Sequence, residues 1–476
     1  MLTVGVRTAP GLTPLSLRAT TRREALVGRR LDSAPPVLAT WRRLCFPGRV
    51  AAVEVVTQDA GVTTDSDALR RRLGLTDAVV IGLGSMIGAG IFAALAPAAG
   101  AAGSWLLLAL AVAALLAYCN ATSSARLAAL YPVSGGTYVY GRERLGAFWG
   151  YLAGWGFVVG KSASCAAMAL TVGSYAWPEH ARVVAVGTVV AITAINYTGV
   201  QKSATATRII VTGVLVVLAT VVIVGFFGKH SAATALPDKV GVRGVLEAAG
   251  LLFFAFAGYA RIATLGEEVR EPRRTIPRAI MIALGVALAV YALVAISALT
   301  VLGSAGLTAG SDPLARLVSA AGAPGWAPVV RAGAVLAAAG SLLALILGVS
   351  RTVLAMARDR YLPGALAAVH PRFGVPHRAE LVVSACVAVI AGVFDLRAAI
   401  GFSSFTVLFY YLIANVSAAT LGAAEGRPAR WVPIVGAVGC VIVGLSLPLG
   451  SVAAGLAVLA VGVAVFWAVQ ARHRRD

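Results

Sequence analysis

The run Gly82-Leu-Gly-Ser-Met-Ile-Gly-Ala-Gly-Ile-Phe92 places four glycines within nine residues of an apolar stretch. Each costs a helix about 1 kcal/mol against alanine. Two readings are open. If the helix breaks here, the N–H groups at the start of its second half can seat a carboxylate. Alternatively, Gly84-x-x-x-Gly88 is a small-residue face for close helix packing. A dinucleotide loop is excluded, because no strand precedes the run and Ile87 stands where a third glycine belongs. A second stretch, Gly250-Leu-Leu-Phe-Phe-Ala-Phe-Ala-Gly-Tyr259, sets bulky aromatics beside Ala257 and Gly258. It reads as another unwinding point, whose aromatics close over a bound side chain, or as an aromatic packing cluster.

Several charges fall within or beside apolar runs. Lys161 sits in Gly154-Trp-Gly-Phe-Val-Val-Gly-Lys-Ser162. A charge at membrane depth costs several kcal/mol, so it normally faces a cavity and finds a partner. Lys161 is the candidate coupling residue, against a lysine that snorkels or bonds carbonyls at shallower depth. Glu247 is an outer-vestibule candidate that would attract a cation, against a solvated helix end. Glu267 and Glu268 read as anchors to the arginine-rich loop that follows, or as an inner gate. Arg261 reads as structural.

These residues need a scaffold, and the composition says which kind. Of 476 residues 59% are hydrophobic and only 13% charged. A soluble domain carries about 25% charged residues. The pattern is an all-α membrane protein of about twelve spans, at roughly 76–98, 104–130, 147–176, 182–199, 208–228, 244–268, 276–303, 330–357, 379–395, 398–421, 431–449 and 451–470. Net charge is +20. It is concentrated in alternate loops, which fits the positive-inside rule better than nucleic-acid binding and puts both termini in the cytoplasm. The bias toward Ala, Gly, Val and Arg points to a bacterial cytoplasmic membrane.

Residues 1–72 are polar and arginine-rich, without an apolar signal core. They read as a disordered cytoplasmic tail, or as the product of a start assigned upstream of one near Val50–Gly61. Residues 73–421 read as one membrane domain, in which 73–303 hold a first block of five spans plus helices six and seven and 304–421 the rest of a second block. Residues 422–476 add helices eleven and twelve and a basic tail. The cysteines Cys45, Cys119, Cys165, Cys386 and Cys440 form no CxxC pair, so no disulfide framework or zinc site is expected. No metal or other cofactor is expected.

Spans one and six each begin a block of five, and the blocks run in opposite directions. Interrupted helices at matching places of inverted repeats point to a midplane transport site. With the loop Tyr131-Pro-Val-Ser-Gly-Gly-Thr-Tyr138, the run Gly266-Glu-Glu-Val-Arg-Glu-Pro-Arg-Arg-Thr-Ile-Pro-Arg278 and Ser350-Arg-Thr-Val-Leu-Ala-Met-Ala-Arg-Asp359, the two glycine runs make the chain resemble the amino acid–polyamine–organocation superfamily over about residues 74–470. The double glutamate is most similar to the cationic amino acid transporter branch. The resemblance implies a LeuT-like fold with a five-plus-five inverted repeat and broken helices one and six. It implies a substrate carboxylate near Gly88, Ala89 and Gly90. The ammonium would meet carbonyls near Ile87, Phe254 and Ala257, in a segment that also holds Ala255 and Gly258. Phe254 and Phe256 would line or gate the pocket, with Ser341, Ser403 and Ser404 on its margin. Two positions depart from the pattern. Ala260 stands where some relatives carry an acid, and Val214 where many carry a lysine.

The expected function is secondary active transport of amino acids, cationic ones such as arginine, lysine and ornithine, by proton coupling or exchange. The alternatives are a neutral amino acid or polyamine permease and, from another class, a channel or a non-transporting sensor. No catalytic motif suggests an enzyme. The expected partners are an amino acid, the lipid bilayer and protons, not nucleic acid.

Overall fold

Residues 73–132, 135–199, 204–229, 240–266 and 268–473 are described in the computed structural model of the chain. The expected N-terminal tail and Glu267 lie outside them. The described chain is all-α and holds no sheet, with one isolated parallel bridge between Leu73 and Val269.

The helices in chain order are α1 (Leu75–Ile87), α2 (Gly90–Ala102), α3 (Leu106–Leu130), α4 (Thr137–Leu145), α5 (Ala147–Ala176), α6 (Ala181–Tyr197), α7 (Ala204–Phe227) and α8 (Val242–Phe256). Then follow α9 (Ala260–Ala263), α10 (Pro272–Thr308), α11 (Pro313–Ala320), α12 (Ala327–Arg358), α13 (His377–Val393), α14 (Leu396–Ala419), α15 (Trp431–Ser446) and α16 (Leu449–His473). A short 3-10 turn, Ala257–Tyr259, joins α8 to α9.

Helix is found in every stretch read as a span. Among the described residues nine segments are long and apolar enough to cross a membrane, with α1, α2 and α3 falling in one of them. Helices α13 and α15 have 17 and 16 residues. At 1.5 Å per residue they reach about 25 Å, short of a hydrocarbon core about 30 Å thick. The boundary near residue 450 lies a few residues earlier than expected. There Leu447 and Pro448 separate α15 from α16, and proline has no N–H with which to continue α15. Helices α4 and α11, with nine and eight residues, were not anticipated, being too short to register in a span-length window.

Burial sorts the helices into a centre and a rim. The apolar stretches of α5 and α14 are 83% and 78% buried, whereas those of α6, α7 and α16 are each 28% buried. The rim exposes Val183, Ile209, Phe227 and Leu449. In water so much apolar surface would drive association; against lipid tails it costs nothing. The centre holds small residues that let backbones approach. Helix α5 contributes Gly160, Ala163, Ala166, Ala167 and Ala169, all buried, as close packing in membranes requires.

Candidate functional site

The first glycine run does break. Helix α1 ends at Ile87 and α2 starts at Gly90, with Gly88 at φ −48°, ψ −87° between them. No side chain caps the N-terminus of α2 at Ala89. The second stretch loosens at Ala257–Tyr259. The two interruptions lie against each other. A Cβ on Gly90 would come within 2.6 Å of the Ala255 Cα, and one on Gly258 within 2.4 Å of the Ser85 carbonyl. Neither place has room for any side chain. Gly84 and Gly88 are packed as well, against the side chains of Val211 and Ser341, so both readings of the first run hold together: its glycines break the helix and also pack it.

A broken helix frees carbonyls, and buried ones need partners. The Tyr291 hydroxyl of α10 lies 2.6 Å from the Met86 carbonyl and 3.0 Å from that of Ala255. Ser341 of α12 donates to the Gly84 carbonyl at 2.9 Å. Lys161 of α5 is 6% exposed and donates to the Ala257 carbonyl at 3.3 Å. Three helices thus supply the polar groups that hold the two interruptions open.

Two cavities adjoin the crossing. One of about 260 Å³ lies among α1, α7 and α12, reaching Ile87, Gly88, Val214 and Ser341. The other, about 140 Å³, lies among α5, α8 and α12, with Lys161, Ser164, Phe254 and Ala257 on its wall. Ser85, Arg261, Glu268, Ser341 and Arg351 line both.

The candidate residues divide accordingly. Ile87, Gly88, Phe254, Ala257, Gly258, Ser341, Lys161 and Glu268 face the cavities. Ala89, Gly90, Ala255 and Phe256 are buried behind them. Phe256 stands edge-on to Tyr291 at 5.1 Å and is fully buried, so it supports the crossing rather than lining a cavity. Ser403 lies one layer back, 2.6 Å from the Ser164 hydroxyl, and Ser404 is buried without a hydrogen-bond partner. Glu247 pairs with Arg397 of α14 at 2.5 Å, which engages its charge in an ion pair. Tyr291 and Arg351 were not singled out. Arg351 could have been, as an arginine within an apolar run. Nothing local marks Tyr291, whose partners are backbone atoms distant in sequence.

Outside the spans, α4 is tied to the end of α12. Tyr138 donates to Asp359, and Arg142 reaches the same carboxylate at 3.1 Å. Burial and then the Asp359 hydrogen bond push the Tyr138 phenol well above its ordinary range.

The family described as "Amino acid permease" matches residues 73–471. The chain belongs to the amino acid permease family. The permease is 69% identical over 403 residues to an uncharacterized transporter of Mycobacterium tuberculosis, covering 84% of this chain and 91% of that one. It is 29% identical over 341 residues to the branched-chain amino acid permease BcaP of Bacillus subtilis, covering 66% and 73%. It is 29% identical over 425 residues to cationic amino acid transporter 4 of Homo sapiens, covering 83% and 65%. It is a multi-pass bacterial membrane protein of a transporter class, not an enzyme.

Proposed function

We propose that the permease carries zwitterionic amino acids across the cytoplasmic membrane by alternating access, as a secondary active transporter of twelve spans with both termini inside. The observation that carries this reading is the crossing of two interrupted helices beside the cavities, with the uncapped start of α2 next to freed carbonyls of α1 and α8. A helix start favours the carboxylate, and carbonyls favour the ammonium. With α1 beginning inside, the cavities open to the cytoplasmic end, where Glu268 and Arg351 stand.

The side chain we assign is neutral and apolar. Among the described residues the cavity walls carry three cations, Lys161, Arg261 and Arg351, against one carboxylate, Glu268. Phe157, Met168 and Phe254 supply apolar wall. A cationic side chain would enter like charge without a dedicated acid. Cationic transport is the second reading, favoured by Glu268 on both cavities and by the name of the human relative. We assign the coupling role to Lys161 in either case, as a buried ammonium on the cavity wall that is bonded to the loosened segment at Ala257.

Uptake of labelled leucine, alanine, arginine and ornithine into proteoliposomes, with and without a pH gradient, tests the proposal. Saturable leucine uptake that excess arginine fails to inhibit is expected. Arginine uptake without leucine uptake would overturn the neutral assignment, and failure of every amino acid would overturn the transport reading.

A further inference from the structure

Arg261, Glu268 and Arg351 are the charged side chains that line both central cavities. They come from separate parts of the fold. Arg261 is on α9, two residues after the loosened turn Ala257–Tyr259, and Arg351 is near the end of α12. Glu268 is held by the chain that leads into α1. Its carbonyl accepts from the Leu73 N–H at 3.1 Å, and the Arg270 N–H donates to the Leu73 carbonyl at 2.9 Å. The charges of Glu268 and Arg351 both act on Arg261, so the three form one cluster. Lys161, the further cation on the smaller of the two cavities, is engaged at the Ala257 carbonyl.

The cluster is unbalanced. Two guanidiniums face one carboxylate, which leaves one positive charge in excess. Among the described residues no ion pair joins Glu268 to either arginine. Arg261 is half-buried, and its one side-chain hydrogen bond is long, 3.4 Å to the Thr264 hydroxyl. Arg351 makes no hydrogen bond or ion pair among the described residues. An arginine kept within a membrane bundle for packing normally ends on a carboxylate or on carbonyls, and these two do not. A guanidinium presents its N–H donors as a planar fork. A carboxylate fits that fork with both oxygens, which a spherical ion cannot do. The larger cavity runs from this cluster to Gly88, beside the start of α2.

We propose that Arg261 and Arg351 form a second carboxylate station, at the cytoplasmic mouth, which receives the substrate's carboxylate as it leaves the start of α2; this rests on the transport reading above. The single carboxylate of a neutral amino acid matches the excess charge. The station takes the carboxylate and repels the ammonium. Glu268 limits the net charge to one, so the carboxylate is held and still leaves, as a site on a pathway requires.

The test uses the full chain in detergent and the exposed guanidinium of Arg351. Phenylglyoxal modifies arginine, and peptide mass spectrometry reads the extent at Arg351. The probes are leucine, isocaproate (leucine without its ammonium), leucinamide (leucine without its carboxylate) and chloride. Leucine and isocaproate are expected to slow the modification of Arg351 several-fold, and leucinamide and chloride to leave it unchanged. Arg273, exposed at the start of α10, is expected to react at one rate throughout. In Arg261→Gln the protection of Arg351 by isocaproate is expected to vanish. No protection by isocaproate, or equal protection by leucinamide, overturns the proposal. Equal protection by chloride makes the cluster a general anion site and overturns the substrate assignment. Protection that persists in Arg261→Gln removes Arg261 from the station. In membrane vesicles of the two orientations, Arg351→Gln is expected to raise the leucine KM about tenfold more on the cytoplasmic side than on the outer side. An equal rise on both sides overturns the proposal. If the variants do not insert, protection in the wild type decides alone. If the wild type transports no amino acid, the transport reading fails, and the protection still shows whether the two arginines bind a carboxylate.

Discussion

The Tyr291 hydroxyl stands 2.6 Å from the Met86 carbonyl, one residue before the end of α1, and its ring lies against Phe256 of α8. With the 3.0 Å contact to Ala255, one side chain of α10 ties both interruptions together. Tyr291→Phe keeps the ring packing and leaves two buried carbonyls without that donor. An unsatisfied buried group costs about 1–3 kcal/mol. The variant is expected to insert normally, to melt earlier in detergent, and to transport less. A thermal shift assay and initial uptake rates check this, and an unchanged melting temperature would show that water replaces the hydroxyl.

Gly258 and Gly285 make a controlled pair. A methyl group on Gly258 would meet the Ser85 carbonyl at 2.4 Å, while at Gly285 nothing lies within 4 Å. Overpacking costs about 1–3 kcal/mol. Replacing an unstrained helical glycine by alanine gains about 0.5–1 kcal/mol. Gly258→Ala should lower both stability and transport, and Gly285→Ala should raise stability with transport intact. Equal behaviour of the two in melting and uptake would mean that the two interrupted segments need not touch.

The bundle was legible in the sequence because lipid leaves long apolar runs between charged loops, and the helices fall close to those runs. The break at Gly88 was legible as one of two readings, since four glycines are a local signal that close packing shares. The partners of the freed carbonyls were not. Tyr291, Ser341 and Lys161 find their carbonyls at separations of tens to hundreds of residues, and no spacing rule carries that information. Glu247 shows the same limit, its charge engaged by Arg397 on α14. Phe254 and Phe256 look equivalent in the sequence, yet only Phe254 faces a cavity, because alternate residues of a helix point to different sides.

Alkaline pH should report the joint between α4 and α12. An unfolded tyrosine ionises near 10.0, and folded Tyr138 ionises higher, through burial and its hydrogen bond to Asp359. A raised folded value means that the stabilisation is fully present below pH 10.0 and is lost as pH rises toward the folded value. Tyr138→Phe is expected to cost about 1 kcal/mol at neutral pH. It should also flatten the decline above pH 10. Melting curves from neutral to alkaline pH on both proteins measure the difference, and parallel declines would exclude Tyr138 as its source.

Lys161 separates a coupling role from a structural one. Its ammonium donates to the Ala257 carbonyl at 3.3 Å and is almost wholly buried. Lys161→Ala leaves that carbonyl without its donor, at a cost of about 1–3 kcal/mol. If the lysine only holds the loosened segment, the loss affects every mode of transport in proportion. If it also couples transport to protons, uptake driven by a pH gradient falls while exchange of labelled for unlabelled amino acid across the same liposomes persists. We expect the second pattern. The ratio of gradient-driven to exchange rates is the discriminating quantity, because it cancels differences in protein insertion. Gradient-driven uptake surviving Lys161→Ala unchanged would remove the lysine from coupling.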